Sequence, residues 1–362
     1  MFVYIFGMAL SVLFALIAHN LREQYNTYKT KRLKLFFIVF CILSFLPPFL
    51  ISAFRDFSVG TDTSGTYYDI YYIVLHNLGG VRDFGFVLIN KLAINIFGNY
   101  SGLLFITSLL FCGISYKCIF SESKYPILSV LLFFSTNVYF ISMNMIRQSI
   151  AISIFILSIP YIKNKRFFPF LLLNIISISL HSTSLIYIVL YFVLRNKLKI
   201  KYICVFCIFV AIFSNFLSDY IISFLSNFEY FRKYFAWYLN SKFSTGELNL
   251  YSLLINVCIL LFLIFINKNA SDDADYNILL WLETLAVLSL LLSSCIPMMQ
   301  RISWMFSFPL FIYLPKMFDF VTNSKLKFLL KFSVISCFIL YMSITIFVKG
   351  YNEVFPYISI FH

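Results

Sequence analysis

Charge is what this sequence has least of. Asp, Glu, Lys and Arg make up 12% of its 362 residues, and only 15 of these are acidic. A soluble domain carries roughly 25% charged and 45–50% apolar residues, whereas 61% of this chain is hydrophobic. So much apolar surface does not fit inside one globular core. That excludes a cytosolic enzyme, a secreted disulfide scaffold and a disordered chain, and leaves a polytopic helical membrane protein. Long polar stretches are lacking as well, so no separate soluble domain is expected. The eight cysteines all lie in apolar runs. Cys204-x-x-Cys207 has no second pair to complete a zinc site and reads as packing. His19, His76, His181 and His362 have no ligand-like spacing, so no metal and no cofactor are expected. No basic residue precedes Phe2–Ala18, which reads as a first span rather than a cleaved leader.

What is present is a series of apolar runs: 2–18, 35–53, 101–119, 126–142, 146–162, 167–180, 182–194, 202–217, 251–266, 277–295, 302–318 and 328–347. They predict an all-α fold of about 12 transmembrane helices in a single domain over 1–362, with outer loops at 54–100 and 219–250. Of the 28 basic residues, 19 fall on one set of loops, around Arg22–Lys34, Lys117–Lys124, Lys163–Arg166, Arg195–Lys201, Lys268 and Lys316–Lys331. This side is expected to be cytoplasmic, which puts both termini outside. The net charge of +13 is spread as such topology signals rather than as a nucleic-acid patch.

Two segments test the scheme. Residues 167–194 would make one helix of about 42 Å, too long for a hydrocarbon core of ~30 Å. Both flanks are basic, so a hairpin with its tip at His181-Ser182-Thr183-Ser184 is expected. Phe84–Gly98 is apolar but short and contains Lys91, and it reads as a re-entrant or interfacial helix.

On this topology the unusual polar residues converge at the outer face. Arg55 is followed by Val59-Gly60-Thr61-Asp62 and a Tyr-rich stretch from Tyr67. Gly60 permits a tight turn, and Arg55 offers a planar fork suited to phosphate. The alternative is that Arg55 marks a helix end and Asp62 caps the next helix. Asn144, Arg147, Gln148 and Ala151 share one helix face if the helix is continuous. Arg147 either snorkels to the headgroups or serves a polar site, and Asn144 and Gln148 beside it favour the site. His181 is either structural or chemical, and its place at an outward tip leaves both open. Arg301 lies between two spans at the outer end. Glu283, inside the run 277–295, is a second-tier candidate for a buried ion pair or proton site. Arginines, acids and a histidine on one face suit a diphosphate with an apolar tail.

At these residues the sequence resembles the EpsG family of bacterial membrane proteins, akin to the Wzy polysaccharide polymerases. Arg55…Val59-Gly60-Thr61-Asp62…Tyr67-Tyr68, Asn144-x-x-Arg147-Gln148-x-x-Ala151 and His181-x-x-Ser184 carry the resemblance, from the first helix to about Arg301. Beyond Arg301 only the hydropathy matches. At 64–66, Ser-Gly-Thr replaces the more common acidic or bulky residues. The resemblance implies a glycosyltransferase in a bacterial cytoplasmic (inner) membrane, with its active site facing outward. It would move a growing glycan from a polyprenyl (undecaprenyl) diphosphate carrier to a second carrier-linked repeat unit, making capsule, exopolysaccharide or O-antigen.

On that reading Arg147, Arg301 and Arg55 hold the diphosphate, and His181 or Asp62 acts as base. Gly60, Thr61, Asn144, Gln148 and Tyr67 support them. The expected partners are the lipid-linked oligosaccharide and, within the pathway, a chain-length regulator and a flippase; no nucleic acid is involved. A flippase or transporter of the same lipid, and an O-antigen-type ligase, are the rival readings.

Overall fold

The computed structural model describes residues 1–229, 232, 236 and 248–361. It is all-helical, with 81% helix and no strand among the described residues. Among the described residues, eight helices are long and apolar enough to cross a membrane, nine if the bent pair Pro126–Ser135 and Val138–Asn144 counts as one span. The expected count of about 12 is not reached, because several apolar runs build short elements. Phe84–Phe97, Phe167–Leu180 and Ser182–Val193 each have 10–17 residues. The run 302–318 forms two short helices, Met299–Ser307 and Leu310–Met317, split at Phe308-Pro309. The multiple long apolar helices nevertheless make this a multi-pass membrane protein.

The contacts group the chain into two compact units: Met1–Phe192 with Phe328–His362, and Val193–Lys327. The first contains α1 (Phe2–Tyr28), α2 (Lys31–Ala53), α3 (Tyr68–Leu75), α4 (Phe84–Phe97) and α5 (Tyr100–Glu122). It continues with α6 (Pro126–Ser135), α7 (Val138–Asn144), α8 (Ile146–Lys163), α9 (Phe167–Leu180) and α10 (Ile186–Val193). Most of α8 is buried on every side, from Ile146 to Ile162, so it is the central helix. By contrast α1 and α2 bury only a narrow stripe, as lipid-facing helices do.

Hydroxyl groups hold the outer helices together, as is common where lipid supplies no hydrophobic drive. Pro48 has no N–H, which frees the Ser44 carbonyl of α2. Ser11 Oγ of α1 donates to that carbonyl at 2.6 Å, Ser44 Oγ donates back to Ser11 O at 2.7 Å, and the Tyr116 hydroxyl of α5 joins Ser11. The neighbouring Pro48 carbonyl accepts from Tyr139 Oη at 2.9 Å.

The expected hairpin at 167–194 is present. Phe167 and Phe170, at the start of α9, lie against Tyr191, near the end of α10, each with ring centroids 4.9 Å apart. The chain reverses at His181, whose extended backbone separates α9 from a short 3₁₀ turn.

Loops expected to share a side share an end within each unit. In the first, Arg22 Nη1 donates to Phe120 O at 3.1 Å and Lys163 pairs with Glu122 at 3.1 Å. In the second, Lys197 pairs with Asp272 at 2.6 Å, Lys316 with Asp273 and Asp275 at 2.6 and 2.8 Å, and Lys327 with Asp319 at 2.7 Å. The expected outer loop 219–250 begins as helix, since Ile200–Ser226 is one helical element bent at Phe213. Most of the remainder, Lys233 included, lies outside the described residues.

Candidate functional site

Arg55 follows the last turn of α2 and is only 1% exposed. The ends of helices leave carbonyls without intrahelical partners, and Arg55 collects them. Its Nη1 donates to Ser52 O at 2.6 Å and Ser52 Oγ at 2.9 Å, and its Nη2 to Met143 O at 3.1 Å. It thereby ties α2 to the end of α7. Both terminal nitrogens of Arg55 are turned to the protein's own acceptors, while its Nε has no hydrogen-bond partner among the described residues.

The loop after Arg55 folds over the same carbonyl. Thr63 Oγ1 donates to Met143 O at 3.2 Å. Gly60 has φ +106°, and a Cβ there would stand 3.0 Å from that oxygen, so glycine is required. The Gly60 and Thr61 amides donate to Glu353 O and Asn352 O at 3.0 and 3.1 Å. The Asp62 amide donates to Asn144 Oδ1 at 2.7 Å, and Asn144 Nδ2 donates to Asn352 Oδ1 at 3.2 Å. Asp62 is half-buried. A one-turn π-helix, Thr63–Tyr67, follows and ends on a buried Tyr67.

The helix at 144–151 is not continuous. Met145, with φ −100° and ψ 59°, separates Asn144 at the end of α7 from Arg147 in the first turn of α8. The shared face survives only for Arg147, Gln148 and Ala151; Asn144 reaches the site from the preceding helix. Both Gln148 and Ala151 are buried.

Arg147 keeps 22% of its side chain exposed. Its guanidinium carbon lies 5.7 Å from the Tyr67 ring centroid and 5.6 Å from that of Phe86. Nη1 pairs with Asp83 Oδ2 at 2.5 Å, and the Asp83 side chain is 11% exposed. The Ser182 amide, next to His181, also donates to Asp83. Burial raises the Asp83 pKa above the usual carboxylate value, against the lowering effects of Arg147 and the amide. Arg147 lies against two aromatic rings that pack on each other with centroids 5.7 Å apart, and it is paired with an acid that also touches the His181 turn.

The EpsG family model matches residues 38–359. This chain belongs to the EpsG family. No curated protein and no solved structure matches it. EpsG is a Wzy-like polysaccharide polymerase family. The match corrects the extent expected from the sequence: it begins inside α2 rather than at the first helix, and runs past Arg301 to the C-terminal turn.

Two of the expected site residues of this EpsG-family chain belong to the other unit. Arg301 is half-buried on the helix Met299–Ser307. Glu283 is 0% exposed within Ala274–Leu292, and neither carboxylate oxygen has a hydrogen-bond partner among the described residues. The first unit joins Gly60, Thr61, Asp62, Tyr67, Asn144, Arg147, Gln148 and His181 around one end of α8. The sequence reading missed Asp83 and the turn at Asn352-Glu353. Asp83 had a signal, an acid placed immediately before the apolar stretch 84–98, where a helix begins. Asn352 and Glu353 had none beyond their polarity after the last apolar run.

Proposed function

We propose that this protein polymerises lipid-linked polysaccharide repeat units, moving a growing glycan from a polyprenyl diphosphate to a second carrier-linked unit. The observation that carries the reading is Arg147 in the first turn of α8, part-exposed beside the rings of Tyr67 and Phe86. A helix N-terminus attracts anions, and a guanidinium fork fits phosphate oxygens. Together they make a seat for a diphosphate whose polyprenyl tail remains in lipid.

In the reaction, the acceptor hydroxyl loses its proton to His181, with Asp62 as the second candidate. The acceptor oxygen then attacks the anomeric carbon. The bond from that carbon to the diphosphate breaks, and the electron pair leaves with polyprenyl diphosphate, whose added charge Arg147 stabilises. The configuration inverts. Arg55 acts only through the floor it builds.

The polar cluster faces outward and the basic loops face the cytoplasm of a bacterial inner membrane, since 19 of the 28 basic residues lie on those loops. Clustering at one end of the first unit favours a transferase over a flippase, which needs charged sites near the bilayer midplane. A chain-length regulator and a flippase of the same pathway are the expected partners. The test is to incubate the purified protein with synthetic polyprenyl-diphosphate repeat units. A ladder of extended products is expected; if the units return unchanged while the protein carries them across vesicles, the carrier reading replaces this one.

A further inference from the structure

Asp83 is placed where a carboxylate is normally used for something else. It is the N-cap residue of α4, and its main-chain carbonyl accepts from the Phe86 and Val87 amides at 3.0 Å each. An Asp in that position usually caps its own helix with its side chain. Here no side-chain cap bond forms. The carboxylate crosses instead to Arg147 Nη1 and to the Ser182 amide. One anion thus joins three segments: the start of α4, the start of α8 and the turn that carries His181.

The cation has few other ways to be satisfied. Arg147 Nε has no hydrogen-bond partner among the described residues, and the two ring faces offer only quadrupole attraction. Arg147 also stands at the positive end of its helix, where a cation is disfavoured. Without an anion the guanidinium would be largely desolvated and unpaired, which is costly. Asp83 is that anion.

We propose that Asp83 is an exchangeable counter-ion of the donor site, occupying the Arg147 guanidinium until a diphosphate replaces it, and a positioning residue that links this exchange to the His181 turn through the Ser182 amide. The inference rests on the polymerase reading above. A diphosphate carries more charge than one carboxylate and presents several oxygens to the fork, so it displaces Asp83 from Arg147. The freed carboxylate keeps the Ser182 amide, and the turn with His181 is set relative to the bound donor. Entry of the donor and placement of the base become one event, which guards the base against an empty site.

The experiment measures binding and transfer separately on Asp83→Asn, using sugar-free polyprenyl diphosphate in detergent as the binding probe. Removing the competing anion is expected to tighten binding roughly three- to tenfold. Chain extension should fall about tenfold or more in Asp83→Ala, where the His181 turn loses its tie, and less in Asp83→Asn, whose amide oxygen still accepts from the Ser182 amide. In an Arg147→Ala background, Asp83→Asn should leave binding unchanged, since there is no guanidinium left to compete for. If Asp83→Asn weakens binding and transfer in parallel, Asp83 is merely structural and the proposal falls. It falls equally if neither quantity moves. Should the Asn variant not accumulate, Asp83→Ser carries the same comparison. Wild-type protein that binds the probe but never extends defined units would overturn the polymerase reading instead, leaving the tighter binding of Asp83→Asn to judge the exchange.

Discussion

Helix α8 carries a cation at each end, and the two ends differ in nearly everything except exposure. Lys163 closes the helix, pairs with Glu122 at 3.1 Å and has 20% of its side chain exposed. Arg147 opens it, pairs with Asp83 at 2.5 Å and has 22% exposed. The C-terminal end of a helix welcomes a cation and the N-terminal end does not. Lys163 is thus where stability would put it, while Arg147 needs an anion beside it, which Asp83 supplies. Aromatic faces, a shared carboxylate and a buried arginine beneath are found at the Arg147 end. The lesson is that an ion pair at a membrane interface is read from what surrounds it, not from its distance.

The strongest attempt to break this comparison is His181→Ala. Loss of the base should slow chain extension by about 10²–10⁴-fold while donor binding holds. Extension at the wild-type rate would make His181 a turn residue and pass the role to Asp62, which Asp62→Asn then tests. Next is Arg147→Ala, expected to lower transfer by about 10²–10³-fold at normal protein abundance. Arg147→Lys should recover only part of this, because one ammonium does not reproduce the planar fork. Normal polymerisation by the Ala variant would make both ends of α8 simple anchors.

Arg55→Ala should act on folding rather than chemistry. It leaves the Ser52 and Met143 carbonyls buried without their donor, at a cost of about 3 kcal/mol. Thermal unfolding in detergent and protein level in membranes measure this; a stable, inactive Arg55→Ala protein would return Arg55 to the substrate. Gly60→Ala forces a side chain into a positive-φ position against Met143 O, for about 1–3 kcal/mol. Its unfolding temperature should drop, with a smaller loss of activity. At the far end of α8, Lys163→Gln should cost less than about 1 kcal/mol and leave transfer unchanged. An activity loss there would mean that the two ends are not distinct.

Parts of the site were legible because they break a pattern. Arg147, Asn144 and Gln148 stand out at the edge of a strongly apolar run, and His181 stands out where the reach of a bilayer demands a chain reversal. Asp83 did not stand out, because its meaning depends on a partner 64 residues away. Arg55 was visible, but its partners were not. An arginine beside a Val-Gly-Thr-Asp stretch looks the same whether it faces a ligand or the ends of two helices, and only its burial separates the cases.

By itself the sequence determined that the chain lives in a membrane as helices, because apolar runs and sparse charge leave no other way to satisfy the backbone in lipid. It also determined which loops share an end, through the distribution of Lys and Arg, and where the hairpin turns. The tertiary structure alone decided how many helices are long enough to span, since Pro309 and Asn137 cut apolar runs at points that hydropathy averages over. It alone brought Asp83 to Arg147, and the C-terminal turn at Asn352 and Glu353 under the Gly60 loop. Those contacts join residues far apart in the chain. Hydropathy and spacing report only the near neighbourhood of each residue, and packing chooses the distant partner.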